Sequence, residues 1–321
     1  MSGPPGASAD LDPELAALLR DGRLADLPGW HELSLAEARR LEDEAFSAGS
    51  GPPVERVEDR RIDGPGGDIE VRIYWPERTD RTAASLPALV FCHGGGWVLG
   101  TLDSADDLCR EFAGRVGAVV VSVDYRLAPE HRFPAAVEDA WTALEWVRDR
   151  PEALGVDPDR IGVEGTSAGG TLTAAVALRA RERGVPLGVQ VLCYPILDRD
   201  LDTASYREHA DAPLLSRADM RWFWEQYLTD PDDATDPLAA PLRADTLTDV
   251  APAVVATAGH DVLRSEGVAY VERLREADVD VSHRHYPSLA HGFLSLTDEV
   301  DRAETAMTEV AVAVTAALSG S

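Results

Sequence analysis

Apolar and polar positions change their period along the chain, and the changes mark out its elements. Residues 14–50 read as helical, behind a short tail that the composition predicts to be flexible. Ser34, followed three residues later by Glu37, forms a capping box ahead of "LAEARRLEDEAF". Next, "VERVEDRRI" and "IEVRIYW" alternate in strand fashion around "DGPGG", which predicts a hairpin. "LPALVFC" is a continuous apolar run, as expected of a parallel strand buried on both faces. From there strands and helices alternate. A helix near 103–116 precedes "AVVVSVDY". "AAVEDAWTALEWVRD" is an amphipathic helix entered after Pro134. "RIGVEG" is a strand, and "SAGGTLTAAVALRARERG" a helix ending on Gly184. "GVQVLCYPI", "PAVVATAG" and "VSHRHYP" read as strands, "VAYVERLREADV" and a last segment near 301–318 as helices. This order predicts an α/β protein whose mostly parallel sheet carries helices on both faces.

One stretch breaks the rhythm. Residues 199–248 contain "DAPLLSRADMRWFWEQYL", a helix with an aromatic face, and then a loop rich in proline and aspartate. The segment reads as an insertion that joins the N-terminal helices in a lid over the carboxyl ends of the strands, where open α/β sheets bind ligands. The expected division is an N-terminal part of the cap (1–50), a first part of the core (51–198), the cap insertion (199–248) and a second part of the core (249–321).

Composition narrows the partners. The formal net charge is −27, and all 30 basic residues are arginine. Such a field repels nucleic acid and anionic membranes and disfavours anionic substrates. No apolar run is long enough to span a bilayer, and the first residues carry neither a basic start nor an apolar core, so no secretory signal is expected. Cys92, Cys109 and Cys193 are an odd set without metal spacing. They read as buried free thiols in a reducing cytoplasm.

Against this background the stretch "GVEGTSAGG" raises a chemical question. Ser167 stands between Gly165 and Gly169 at a strand-to-helix junction, the G-x-S-x-G spacing of a nucleophile elbow. Flanking glycines remove the side chains that would block so sharp a turn. A serine hydroxyl is a poor nucleophile until a base accepts its proton, and its tetrahedral intermediate needs hydrogen-bond donors. "HGGG" follows the "LPALV" strand, so amides of two of Gly94, Gly95 and Gly96, with that of Ala168, would face the oxyanion. Asp261 lies just past one late strand and His291 past the next, and the chain order Ser167, Asp261, His291 suits a triad in such a fold. Asp198 is the rival acid. His283 and His285, alternating on one strand, read as surface or packing residues, and His93 as a residue that orders its loop. His260 points elsewhere, and His31, His131 and His209 default to solvent. Glu164, beside the elbow, has no assigned role. The aromatic residues Trp222, Phe223, Trp224 and Tyr227, with Trp97 beside the glycine loop, are candidates for lining an acyl pocket, although an aromatic helix also suits plain packing.

Four separated motifs, "HGGGW", "DYRLAPEHRFPAAVEDA", "GTSAGG" and "HDVLRSEG" followed by "HGF", resemble the hormone-sensitive-lipase-like family of bacterial esterases, family IV of the α/β hydrolases, from about residue 55 onward. Thr166 before the serine resembles the GTSAG-type subgroup. The resemblance implies an α/β-hydrolase fold with a helical cap. It also implies a serine carboxylesterase acting on small short- to medium-chain esters with Ser167, Asp261 and His291, and without metal or organic cofactor. Val262 and Ser265 depart from the family's commoner "DPLRDEG". The same triad also serves deacetylases, lactonases and amidases, and proteins of this fold that only bind small ligands exist. Homodimers occur among proteins that resemble it, while no interface is legible in the sequence.

Overall fold

The computed structural model describes residues 10–25, 27–47, 51–77 and 85–320. The tail at residues 1–9 and the end of the helical reading at 48–50 lie outside the described residues. Eight strands form one sheet in the order β1-β2-β4-β3-β5-β6-β7-β8. They are β1 (Arg56–Gly64), β2 (Gly67–Trp75), β3 (Leu86–Cys92), β4 (Val119–Val123), β5 (Val156–Thr166), β6 (Gln190–Cys193), β7 (Ala253–His260) and β8 (Val281–Ala290). β1 and β2 pair as an antiparallel hairpin, β2 runs antiparallel to β4, and all later pairings are parallel.

Burial on both faces accounts for the continuous apolar runs. Val119, Val121 and Val123 of β4 pack with helices α4 (Ala135–Arg148) and α6 (Ala168–Arg183). Val120 of the same strand packs with α3 (Asp106–Phe112) and α10 (Asp301–Ser319) on the opposite face. Each such fully buried side chain contributes about 1.5–3 kcal/mol relative to exposure. α9 (Arg264–Glu276) covers β6 and β7 with Tyr270 and Leu274. α6 is the central helix. Its first thirteen residues, Ala168 to Ala180, are all buried, many of them Gly, Ala or Thr, and Gly184 ends it in the left-handed conformation. All three cysteines are buried and unbridged, and burial pushes the Cys92 thiol up to about 12 and the other two well above the ordinary value. They are thiols, not thiolates.

Residues 14–50 differ from the single helical reading. Two helices occur, α1 (Pro13–Asp21) and α2 (Leu35–Phe46), separated by an irregular stretch with one tight turn at Trp30–Glu32. Gly22 stops α1, and the Pro28–Gly29 pair prevents its resumption until the Ser34 capping box starts α2. Near 103–116, α3 is short and passes into a π-helical turn over Ala113–Gly117.

Between β6 and β7 the chain forms α7 (Ala204–Glu208) and α8 (Arg217–Tyr227). This stretch meets the N-terminal segment directly: the Trp30 indole donates to the Leu214 carbonyl at 3.2 Å, and His31 Nδ1 lies 2.7 Å from Asp219 Oδ1. α2 is also tied to the loop after β3. Arg39 donates to the carbonyls of Val98 and Ala128 and forms a two-pronged pair with Glu130.

Candidate active site

Strand β5 ends at Thr166 and α6 begins at Ala168, so the whole reversal falls on Ser167. Its backbone adopts φ 53°, ψ −116°, a strained region for a residue with a side chain. The flanking glycines make the bend possible. A Cβ on Gly165 would lie 2.1 Å from the Gly169 carbonyl oxygen, and one on Gly169 would lie 1.9 Å from that of Cys92. Ser167 N donates to Cys193 O at 2.9 Å, and Ile196 N donates to Ser167 O at 3.1 Å, which hold the turn to β6 and the loop beyond it.

The hydroxyl thus held meets a ring. His291 follows β8, and its Nε2 lies 3.0 Å from Ser167 Oγ. His291 Nδ1 lies 2.9 Å from Oδ2 of Asp261, which follows β7. The other carboxylate oxygen, Oδ1, accepts from Leu263 N at 2.9 Å, so Asp261 is fixed at both ends. All three residues are buried. The short hydrogen-bonded chain lets the ring accept the serine proton while the carboxylate stabilises the resulting imidazolium.

The glycine loop faces the same spot. Gly94, Gly95 and Gly96 line one cavity with Ser167 and His291. No acceptor for the amides of these glycines, or for that of Ala168, is found among the described residues. Gly95 has φ +102°, and a Cβ there would meet Leu99 O at 2.3 Å, so the loop shape requires glycine. His93 anchors the loop. Its Nδ1 lies 2.7 Å from Gly94 O, its ring stacks on Tyr125 at 4.2 Å, and Tyr125 OH donates to His93 O at 2.9 Å. Burial lowers the His93 pKa to about 4, so the ring is neutral. The "YRLAPE" segment, through Tyr125 and the Arg39–Glu130 pair, braces this loop.

Residues 89–295 match the family described as alpha/beta hydrolase fold. This chain belongs to that family. Within it, the motifs are those of the hormone-sensitive-lipase-like branch. Among curated relatives, Esterase LipI of Mycobacterium tuberculosis is 44% identical over 270 residues, 84% of each chain. Ethyl acetate hydrolase of Pseudomonas putida is 36% identical over 314 residues, 95% of this chain and 98% of that one. Among solved structures, a hyperthermophilic esterase from the archaeon Pyrobaculum calidifontis superposes with a TM-score of 0.89 at 39% identity, covering 96% of this chain and 99% of the other.

In this member of the α/β-hydrolase family one departure from the commoner loop sequence, Ser265, helps to tie two segments together, while Val262 contributes through its backbone carbonyl. Ser265 Oγ accepts from Ser205 N at 3.0 Å, and Ser205 Oγ donates to Val262 O at 2.6 Å, so the loop bearing Asp261 is joined to α7. Asp198 is engaged elsewhere, accepting from Arg243 at 2.8 Å. His283 and His285 both bond Thr257 Oγ1 at 2.9 Å and sit against the sheet. His209 is not a solvated residue as expected. It is wedged beside Arg264, whose guanidinium also donates to Gly259 O and Glu208. No spacing in the sequence foretells this cluster, which forms only when α7 meets α9.

Of the five aromatic candidates, Phe223 lines the cavity. Trp97, Trp224 and Tyr227 are buried against one another, with Trp97 stacked on Tyr227 at 4.0 Å, and are not among the lining residues. Trp222 is partly exposed and sits edge-on to Phe223. Packing accounts for these four. Residues not singled out in the sequence also line the cavity: Leu214, Leu215, Leu296 and, from α2, Glu42.

Glu164, on β5 below the elbow, is fully buried, and neither carboxyl oxygen has a hydrogen-bond partner among the described residues. Burial raises its pKa well above the ordinary 4.5, so it is neutral when folded. The unfolded chain releases this proton above 4.5 and the folded chain holds it. The group's contribution to stability is therefore intact at acid pH and falls as pH rises through that value. Glu164→Gln removes the titration. Its Tm is expected to match wild type near about pH 4 and to exceed it by a margin that widens towards about pH 8. Thermal melts across that range check this, and a difference independent of pH would refute it.

Proposed function

We propose that the protein is a serine carboxylic ester hydrolase acting on small esters of short to medium acyl chain. The supporting observation is the unbroken hydrogen-bonded chain from Ser167 through His291 to Asp261, inside a cavity flanked by amides without acceptors. The named activities of its relatives support the same reading.

In this mechanism Ser167 Oγ attacks the ester carbonyl carbon while His291 Nε2 takes its proton. The carbonyl oxygen becomes an oxyanion and receives hydrogen bonds from two of the Gly94, Gly95 and Gly96 amides and from Ala168 N at the head of α6. Donors of this kind act where charge develops, and one such donor is worth about 100–1,000-fold in rate. His291 then gives its proton to the leaving alkoxide, which departs as alcohol and leaves an acyl-serine. A water, deprotonated by the same ring, releases the acid and restores the serine. Asp261 holds the ring with Nδ1 protonated. The described residues of 1–50 and of 199–248 form the cap over this site, and those of 51–198 and 249–321 form the core. The apolar lining from Leu214, Leu215, Phe223 and Leu296 suits an acyl chain.

The test is a series of p-nitrophenyl esters from acetate to palmitate, together with a fluorophosphonate probe. A maximum of kcat/KM between about two and eight carbons and stoichiometric labelling of Ser167 are expected. A protein that stays unlabelled and hydrolyses none of the series is a binder rather than an enzyme.

A further inference from the structure

Helix α2 carries one carboxyl group into the interior. Glu42 is only 9% exposed, while Asp43 and Glu44 beside it face solvent. Ala38, Glu42 and Phe46 are spaced by four and share one face of the helix. Of this face, Glu42 and Phe46 line the cavity that contains Ser167 and His291, with Ser104 and Leu108 nearby. An apolar residue at position 42 would have completed an ordinary packing face, so the acid needs a reason.

No arginine lines that cavity; Arg39 and His131 share a second cavity with Glu42, and the Arg39 guanidinium there is paired with Glu130. Oε2 of the Glu42 carboxyl is buried without a hydrogen-bond partner among the described residues, and the Ser104 hydroxyl beside it donates to Thr101 O at 3.2 Å. Burial is the largest influence on the acidity of Glu42 and raises its pKa to about 7, against the smaller opposing effect of the polar Ser104 side chain and Gly100 backbone near it. A buried carboxyl that lacks a partner in the wall of a ligand cavity is a place where a ligand group, admitted by a small shift of that wall, completes the set.

We infer that Glu42 is a specificity residue that hydrogen-bonds a hydroxyl group carried by the ester, so that the preferred substrates are hydroxylated esters rather than plain alkyl ones. The inference rests on the ester-hydrolase reading and extends it to substrate class. A hydroxyl both donates and accepts, so it matches the carboxyl in either protonation state near neutral pH. An ammonium group would have to shed its hydration in a cavity otherwise lined mainly by apolar residues, and would match only the ionised form. Sites built to bond a substrate hydroxyl discriminate against the analogue lacking it, because the protein's own polar group is then stranded.

Two matched pairs provide the test: propyl butyrate against 2,3-dihydroxypropyl butyrate for the alcohol side, and p-nitrophenyl hexanoate against its 6-hydroxy derivative for the acyl side. The readout is the ratio of kcat/KM, hydroxylated over plain, in wild type and in Glu42→Met. In at least one pair a wild-type ratio of about fivefold or more is expected, falling at least about threefold in the variant through a higher KM for the hydroxylated ester. A wild-type ratio below about fivefold in both pairs, or a ratio that falls by less than about threefold, overturns the inference. Should Glu42→Met not fold, Glu42→Gln, which replaces one acceptor oxygen by a donor, is held to the same threefold criterion. Failure of the ester-hydrolase reading is distinct, since the wild-type protein would then turn over neither member of either pair.

Discussion

Replacing Ser167 by alanine is expected to lower kcat for a p-nitrophenyl ester by about a million-fold, the scale seen when a nucleophile acting as part of a triad is removed. The fold should be untouched. The Ser167 side chain bonds His291, whereas the backbone bonds that hold the elbow, Ser167 N to Cys193 O and Ile196 N to Ser167 O, do not involve it. Alanine bears a Cβ like serine, so the strained φ of 53° is no worse. Circular dichroism and Tm should match wild type, and the fluorophosphonate probe should no longer label the protein. Turnover that remains within about a hundredfold of wild type would remove Ser167 from the reaction.

The second large effect concerns a tautomer rather than a missing atom. Asp261→Asn should lower kcat by about 10,000-fold with little change in the position of any residue. Two neighbours dictate how the amide must sit. Leu263 N donates to Oδ1 at 2.9 Å, so the asparagine oxygen stays there. Its NH2 group is then turned onto His291 Nδ1, where the carboxylate accepted at 2.9 Å. The ring must accept on Nδ1 and carry its proton on Nε2, the nitrogen that should receive the serine proton. The loss should appear in kcat far more than in KM. A variant retaining more than about a tenth of wild-type kcat would show that Asp261 does not set the tautomer.

Local geometry was the most legible part of the chain. The G-x-S-x-G spacing could be read because the contacts it avoids, Gly165 to Gly169 O and Gly169 to Cys92 O, are imposed by any strand–turn–helix reversal of this tightness. The parallel order could be read from runs such as "AVVVSV", since a strand covered on both faces has no reason to alternate. Ser167, Asp261 and His291 were recognisable because each immediately follows a strand of the sheet, and such positions converge at its carboxyl edge. What escaped depends on which segments touch. The break between α1 and α2 is signalled only by Gly22 and Pro28–Gly29, three residues inside a longer helical pattern that masks them. The Arg264–His209 contact and the placement of Glu42 in the cavity arise only when the N-terminal helices and residues 199–248 are docked. The mutual stacking of Trp97 and Tyr227, 130 positions apart in the numbering, leaves no trace in either local sequence.

The buried cysteines give the elbow a built-in reporter. In the sheet register Cys92 sits opposite Gly165 and Cys193 opposite Thr166, one on each side of the strand that presents Ser167. Both sulfurs are sealed from solvent and held protonated. Cys92 lies in the core on one face of the sheet and Cys193 in the core on the other, so a thiol-specific dye reaches either only when the helices covering that face lift, and the rate of its uptake at these two sites in native buffer clocks that opening independently of any substrate.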